Sequence, residues 1–318
     1  MFRVKTFAAV ALLVPALALG GCSYEKPAEP VEQPVGLTLD APRVTLEDAG
    51  SGERRVLTFQ DIDAEQKLDY SVTQGFSQDL LKDSAAKDFK AGDVDSATTT
   101  LPLDASVEKA TEDVEGQLPA TRNGFVTAGL PTYSGSAQVD SAEGFQFGWR
   151  ATDNGQMNSL RLAAPQAATD EARGVVEQAI MKLTSLPIVF PKEEVGQGAT
   201  WTVESRVAGE STLLQTTTYT LEKLEGDVLT LGVKVAQRPS LGALSFEGQA
   251  QGTELEDKEL EVMGTVTDST GTLTVDLSKP LPTGGEVSFD TKIIYGTEGS
   301  DLRVVQSTST EMSFKPAG

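Results

Sequence analysis

No histidine occurs in the 318 residues, and Cys22 is the single cysteine. Those two counts decide most of the available chemistry. Without imidazole there is no Ser-His-Asp or Cys-His nucleophile, no base titrating near neutrality, and none of the usual zinc or copper ligand sets. Carboxylate pairs and a Ser-Lys dyad remain, and both depend on spacing. Ser106-Val107-Glu108-Lys109 has the S-x-x-K spacing of penicillin-binding enzymes, but no S-D-N or K-T-G follows and the segment reads as polar with helical spacing. Acid pairs such as Glu193 with Glu194 and Glu112 with Glu115 follow from having 47 acids, and nothing in the sequence isolates two of them in apolar surroundings. A wall-sugar hydrolase would need two acids about 5 to 9.5 Å apart in an aromatic cleft, and the chain has only two tryptophans and five tyrosines. Asp153-Asn154-Gly155 begins like a calcium loop but lacks the alternating acids and the closing glutamate, so it reads as a hairpin turn. The expectation is a non-enzymatic protein with no catalytic residues and no metal.

Cys22 carries the one modification the sequence points to. Arg3 and Lys5 form a positive n-region, Phe7 to Leu19 an apolar h-region, and Leu19-Gly20-Gly21-Cys22 a lipobox. As a membrane-spanning helix the apolar run is too short for ~30 Å of hydrocarbon and contains Pro15. Residues 1–21 are therefore expected to be a lipoprotein signal peptide, and Cys22 to carry a covalent diacylglycerol as the only cofactor-like group. Two acyl chains anchor stably where one chain, at ~0.8 kcal/mol per buried methylene, binds only marginally. The expected location is extracytoplasmic, held at the cell membrane by the N-terminal lipid. Cleavage leaves 297 residues without a thiol; it removes two of the 26 cations and none of the 47 acids, for a net charge of −23. Such a charge repels nucleic acid and anionic head groups. It identifies no protein partner.

Residues 22–36 carry Pro27, Pro30 and Pro34 among Glu and Lys, the composition of a tether, and some 14 residues of it would reach ~40 Å at ~3.1 Å each. Residues 37–318 form the body, as one domain or as two lobes, 37–165 and 166–318. Arg43 to Leu46, Arg54 to Ile62 and Lys67 to Gly75 predict an antiparallel meander. Within 77–121 weaker helices are expected, on the stripes Leu80, Leu81, Phe89 and Val107, Ala110, Val114, Leu118, with Gly92 to Thr100 a loop. Phe145 to Trp149, the Asp153-Asn154-Gly155 turn and Met157 to Leu162 predict a hairpin. The main helix is expected over 169–185: Ala172, Val175, Val176, Ala179, Ile180 and Leu183 make a broad apolar face, Thr169-Asp170-Glu171 suits its start, and Pro187 stops it. From Ala199 onward about eight one-sided strands follow, with Ser269-Thr270-Gly271 as one of the turns between them. The fold class is mainly β (α+β), a large curved antiparallel sheet or half-barrel packed on that helix.

Two motifs carry a resemblance to a known group. One is the hairpin Trp149 to Leu162 with its Asp153-x-Gly155 turn. The other is Pro191-Lys192-Glu193-Glu194-Val195-Gly196-Gln197-Gly198-Ala199-Thr200-Trp201, with Tyr219-Thr220-Leu221 and Gly271 to Leu277 before Pro282. Together they resemble an uncharacterised family of actinobacterial lipoproteins, for which no activity and hence no functional residue is implied. In architecture the chain also looks like the envelope carriers whose U-shaped half-barrel shelters acyl chains.

That likeness implies a membrane-tethered protein that binds or transfers an apolar or amphiphilic envelope molecule. Val176, Ile180 and Leu183 are the expected cavity lining. The alternative is a surface or scaffold lipoprotein whose sheet packs a solid core and whose partner is another envelope protein. The anchor is tested first: Cys22→Ala abolishes incorporation of radiolabelled palmitate, and label retained by that variant places the lipid elsewhere.

Overall fold

Among the described residues, the concave face of one wide sheet and one main helix packed on it dominate the architecture. The structure, a computed structural model, describes residues 30–90, 94–111, 119–207, 213–240, 243–245, 255 and 258–317. The chain runs through β1 (Val35–Thr38), β2 (Arg43–Asp48), β3 (Ser51–Arg55), the long β4 (Glu65–Lys82), a short helix α1 (Asp83–Asp88), β5 (Ser96–Lys109), β6 (Arg122–Ala128), β7 (Thr132–Tyr133), β8 (Gln146–Ala151) and β9 (Met157–Ala163). The main helix α2 (Asp170–Thr184) follows. Then come β10 (Val195–Gln197), β11 (Thr200–Val207), β12 (Leu213–Glu225), β13 (Val228–Pro239), β14 (Ala243–Ser245), β15 (Glu259–Asp276), β16 (Gly284–Gly296) and β17 (Leu302–Pro316).

The sheet order is β1-β9-β8-β6-β5-β4-β17-β16-β15-β13-β12-β11-β2, with β7 and β14 added at the side and β3 pairing β10 apart from it. All these pairs are antiparallel. From β4 in the centre the chain meanders out to β9, crosses through α2 to the opposite edge at β11, and meanders back to β17 beside β4. The sheet is not closed. Its two edges nevertheless come near each other, because β1 pairs β9 and β2 pairs β11, and the four residues between β1 and β2 can span at most about 18 Å.

Period-two alternation makes the strands. In β4 and β5 the buried set is Leu68, Tyr70, Val72 and Leu101, Leu103, Ala105, Val107. The polar residues between them face outward, where Ser71 meets Thr100 at 2.8 Å and Thr73 meets Thr98 at 2.9 Å. Helix α2 begins where expected, with the Thr169 hydroxyl accepting from the Ala172 N–H at 3.2 Å. Its buried stripe is Ala172, Val176, Ala179, Ile180 and Leu183. Residues from both halves of the body enter one apolar core.

Three expectations are corrected. The first is the helical region over 77–121. Residues 77–82 continue β4, the only helix described there is Asp83–Asp88, and the expected loop becomes β5 from Ser96. The stripe through Val107 was read at helical period, whereas Val107 belongs to the alternating set of β5; Val114 and Leu118 lie outside the described residues. The second is the N-terminal meander: β2, β3 and β4 do not pair with one another but with β11, β10 and the central strands. Tertiary partners supplied by the far half of the chain decide their places. The third is Ser269-Thr270-Gly271, which lies inside a continuous β15 with Gly271 opposite Val287.

The described part of the expected tether lies on the body. Val31 bridges Pro165, the Glu32 N–H donates to Ala164 O at 2.9 Å, and Glu32 pairs with Arg173 of α2.

Trp201 is fully buried, stacks on Tyr219 at 5.6 Å and donates from Nε1 to Val189 O at 2.9 Å. Trp201→Ala is expected to cost ~3 to 5 kcal/mol in denaturant unfolding; an unchanged unfolding midpoint refutes that role.

Candidate functional site

A cavity of about 60 Å³, partly open to solvent, lies beside the C-terminal end of α2. Its walls are apolar: Phe147 and Trp149 of β8, Leu183 of α2, Ile188 beyond it, Leu273 of β15 and Phe314 of β17. Pro280 to Pro282, between β15 and β16, complete one side. Phe59 and Arg122 close another.

Each wall is placed by a local device. The indole of Trp149 fits because residue 124 is glycine: a Cβ there would stand 2.3 Å from the ring. Gly155 turns the β8–β9 hairpin at φ +95°, and a Cβ on it would meet Ile188 O at 2.2 Å. Around that turn the Asn154 side chain donates to Phe190 O at 3.0 Å while the Phe190 N–H donates to Asn154 O at 2.9 Å. Phe59 is held by its N–H on Asp153 O at 2.8 Å and packs on Phe190 at 5.4 Å between ring centres.

Besides the Thr184 hydroxyl, the polar group in this wall is Arg122, which is held in a buried ion pair. Arg122 is 3% exposed and Asp61 fully buried. Arg122 Nε donates to Asp61 Oδ1 at 2.7 Å and Nη2 donates to Oδ2, while the guanidinium carbon sits 4.1 Å above the Phe59 ring. Asp61 is fixed by the loop before β4, in which Asp63 takes φ 64° and bonds through its N–H to Val107 O at 2.8 Å. Nearby, burial pushes the Tyr219 hydroxyl well above its ordinary range, and that hydroxyl donates to Pro187 O at 2.9 Å. Burial also holds Lys182, in the last turn of α2, below the ordinary lysine value.

Of the residues expected to line a cavity, Leu183 does so; Val176 and Ile180 are fully buried in the core and are not part of this wall. Cys22 lies outside the described residues, as do Glu112 and Glu115. Ser106 and Lys109 sit three apart on β5, a strand, so the pleat turns them to opposite faces. Glu193 and Glu194 are exposed in the stretch before β10. Among the described residues no three acids gather as a metal site.

Sequence reading missed Arg122 and Asp61. Charges 61 residues apart look like surface, but Arg122, Gly124, Val126 and Ala128 fall in one alternating inward set, and an arginine in phase with a core face is the signal that was available.

Residues 177–279 match a family of unknown function, DUF6263. That stretch contains Pro191 to Trp201 and Gly271 to Leu277, so the likeness to an uncharacterised family is found over those motifs; the hairpin Trp149 to Leu162 lies outside it. No curated protein matches the chain.

Removing one partner of a buried pair leaves an uncompensated charge, so Arg122→Ala is expected to lose ~3 to 5 kcal/mol of stability. The double variant Asp61→Leu with Arg122→Met, which removes both charges, keeps most of it. Equal losses in the two variants, measured by denaturant unfolding, would falsify the pairing as the source of the cost.

Proposed function

We propose that the protein is a non-enzymatic lipoprotein, anchored on the outer side of the cell membrane through diacylglycerol at Cys22, that takes the apolar end of an amphiphilic envelope molecule into the cavity beside α2. The observation that carries this reading is a mainly apolar cavity with a mouth and few polar side chains, Arg122 and Thr184, the usual composition of a small-molecule site. The finer likeness, to actinobacterial lipoproteins and to half-barrel carriers, belongs to the same proposal. It is supported by an open curved antiparallel sheet wrapped on one main helix. The body would sit close to the lipid. Val31 already lies against Pro165, so the chain from Cys22 to Pro30 spans at most about 30 Å.

Size limits what can enter. Whole-ligand sites measure roughly 300 to 1,000 Å³, and this cavity is about 60 Å³, so it holds the tip of a molecule and leaves the remainder outside. The same small volume favours the second reading, a scaffold lipoprotein whose core is essentially filled and whose partner is another envelope protein.

A fatty acid labelled at its carboxyl end, titrated into the full chain and into Leu183→Trp, separates the two. The added ring blocks the cavity, at an overpacking cost of ~1 to 3 kcal/mol. Uptake by the wild type that is lost in a still-folded Leu183→Trp supports the binding reading. No uptake by either protein leaves the scaffold.

A further inference from the structure

Resting on the binding reading above, we propose that the cavity selects a tip bearing a neutral oxygen acceptor, a carbonyl or hydroxyl oxygen, which the Nη1 group of Arg122 meets with a hydrogen bond. Arg122 lines the cavity, and its Nε and Nη2 are both committed to Asp61. Nη1 has no hydrogen bond to the described residues. It is a guanidinium nitrogen, it belongs to a side chain almost wholly removed from bulk water, and its two N–H groups remain for whatever enters.

The charge of the tip follows from Asp61. The bidentate carboxylate already neutralises the guanidinium, so an incoming anion would lose its hydration and gain no net positive field, with a carboxylate on the far side of the same arginine. A cation meets no free carboxylate here, since both Asp61 oxygens accept from Arg122 and the other polar side chain of the lining is the neutral Thr184 hydroxyl. A purely apolar tip fills the space but takes water away from Nη1 and gives it no partner in return. A neutral carbonyl or hydroxyl satisfies the donor and requires no counter-charge. The remaining lining near it, Phe59, Phe147, Trp149 and Leu183, contacts carbon. A cavity of about 150 Å³ accepts a six-carbon ring, so about 60 Å³ suits an acetyl-sized group, with the rest of the molecule leaving through the mouth.

Three probes that share a sugar head and an eight-carbon chain isolate the tip: octyl glucoside, its 7-oxo analogue ending in a methyl ketone, and its ω-carboxylate. Each is titrated below its critical micelle concentration into the full ¹⁵N-labelled chain. The indole N–H of Trp149 reports the cavity, and that of Trp201, which is not part of its wall, serves as the internal control. The ketone is expected to bind roughly tenfold more tightly than the methyl-ended probe, in line with a hydrogen bond from a charged donor, and the carboxylate more weakly than either. In Asp61→Leu with Arg122→Met the advantage of the ketone disappears while the methyl-ended probe still binds. Equal affinity of ketone and methyl tips in the wild type, as when a retained water already satisfies Nη1, overturns the inference and leaves the binding reading standing; so does tightest binding of the carboxylate. If none of the three moves the Trp149 resonance, the binding reading itself fails. Should the double variant not fold, the ranking in the wild type decides alone.

Discussion

The segment Ser185 to Phe190 sets the terms for the rest of the molecule. After the Ser185 N–H closes the helix on Met181 O at 3.0 Å, the segment leaves the end of α2 and runs against the inside of the sheet, with Leu186, Val189 and Phe190 buried and Ser185, Pro187 and Ile188 partly exposed. Four side chains from the surrounding strands and turn answer it. Gln215 donates to Ser185 O at 2.7 Å, Tyr219 to Pro187 O at 2.9 Å, Trp201 to Val189 O at 2.9 Å and Asn154 to Phe190 O at 3.0 Å. The two largest aromatic groups of β11 and β12 are thus core residues whose polar tips are committed to this one stretch of chain. Crossing in this way is also what joins the outward meander to the inward one, so the sheet topology and these four bonds depend on each other.

Farther along the same concave face the polar groups pair among themselves. Gln237 donates to Gln215 Oε1 at 2.8 Å, Thr291 to Gln237 Oε1 at 3.0 Å, and Thr267 meets Thr291 at 3.1 Å. This uncharged belt lies between the main core and a second apolar cluster of Leu255, Leu260, Ile293, Tyr295 and Val304. Every amide and hydroxyl in it has a partner across strands, which fixes register where the long strands run beyond the helix. The interior therefore handles polarity in two ways. Neutral groups form the belt, and the one fully buried ion pair among the described residues, Arg122 with Asp61, stands at the cavity.

What could be read from the sequence followed the strength of local periodicity. The face from Ala172 to Leu183, with Thr169 before it and Pro187 after, has a cap, a stripe and a stop that agree, and the helix lies within one residue of its expected ends. The hairpin from Gln146 to Ala163 was legible for the same reason, because its alternation and its Asp153-Asn154-Gly155 turn point the same way. The stretch from Gln74 to Lys109 was not. Its apolar residues are sparse enough to fit a helical or a strand period over short windows, and the decision comes from β17 and β6 on either side, which sequence spacing cannot show. The site was harder still, since it is made where the Phe59 to Asp61 loop, the start of β6, the end of α2 and the β15–β16 connection meet. Local pattern placed several of its residues in strands and turns, but among them only Leu183 was expected to line a cavity.

The pinning of Ser185 to Phe190 also bounds what the cavity can become. Enlarging it to hold an acyl chain would require this segment or the end of α2 to withdraw from the sheet. Withdrawal would break four hydrogen bonds, of which the one from Trp201 to Val189 O is buried and the other three part-buried, at roughly 0.5 to 1.5 kcal/mol each. The sum, roughly 2 to 6 kcal/mol, is a sizeable part of the ~5 to 15 kcal/mol that separates a folded domain from its unfolded chain. A motion of that cost leaves the withdrawn state a small minority of the folded molecules. The cavity wall formed by Ile188 is accordingly of fixed shape, and Gly155, whose backbone lies against Ile188 O, leaves no slack on the opposite side. Selection at such a site works by the shape and polarity of a small inserted group, and affinity for anything larger must come from contacts made outside the mouth.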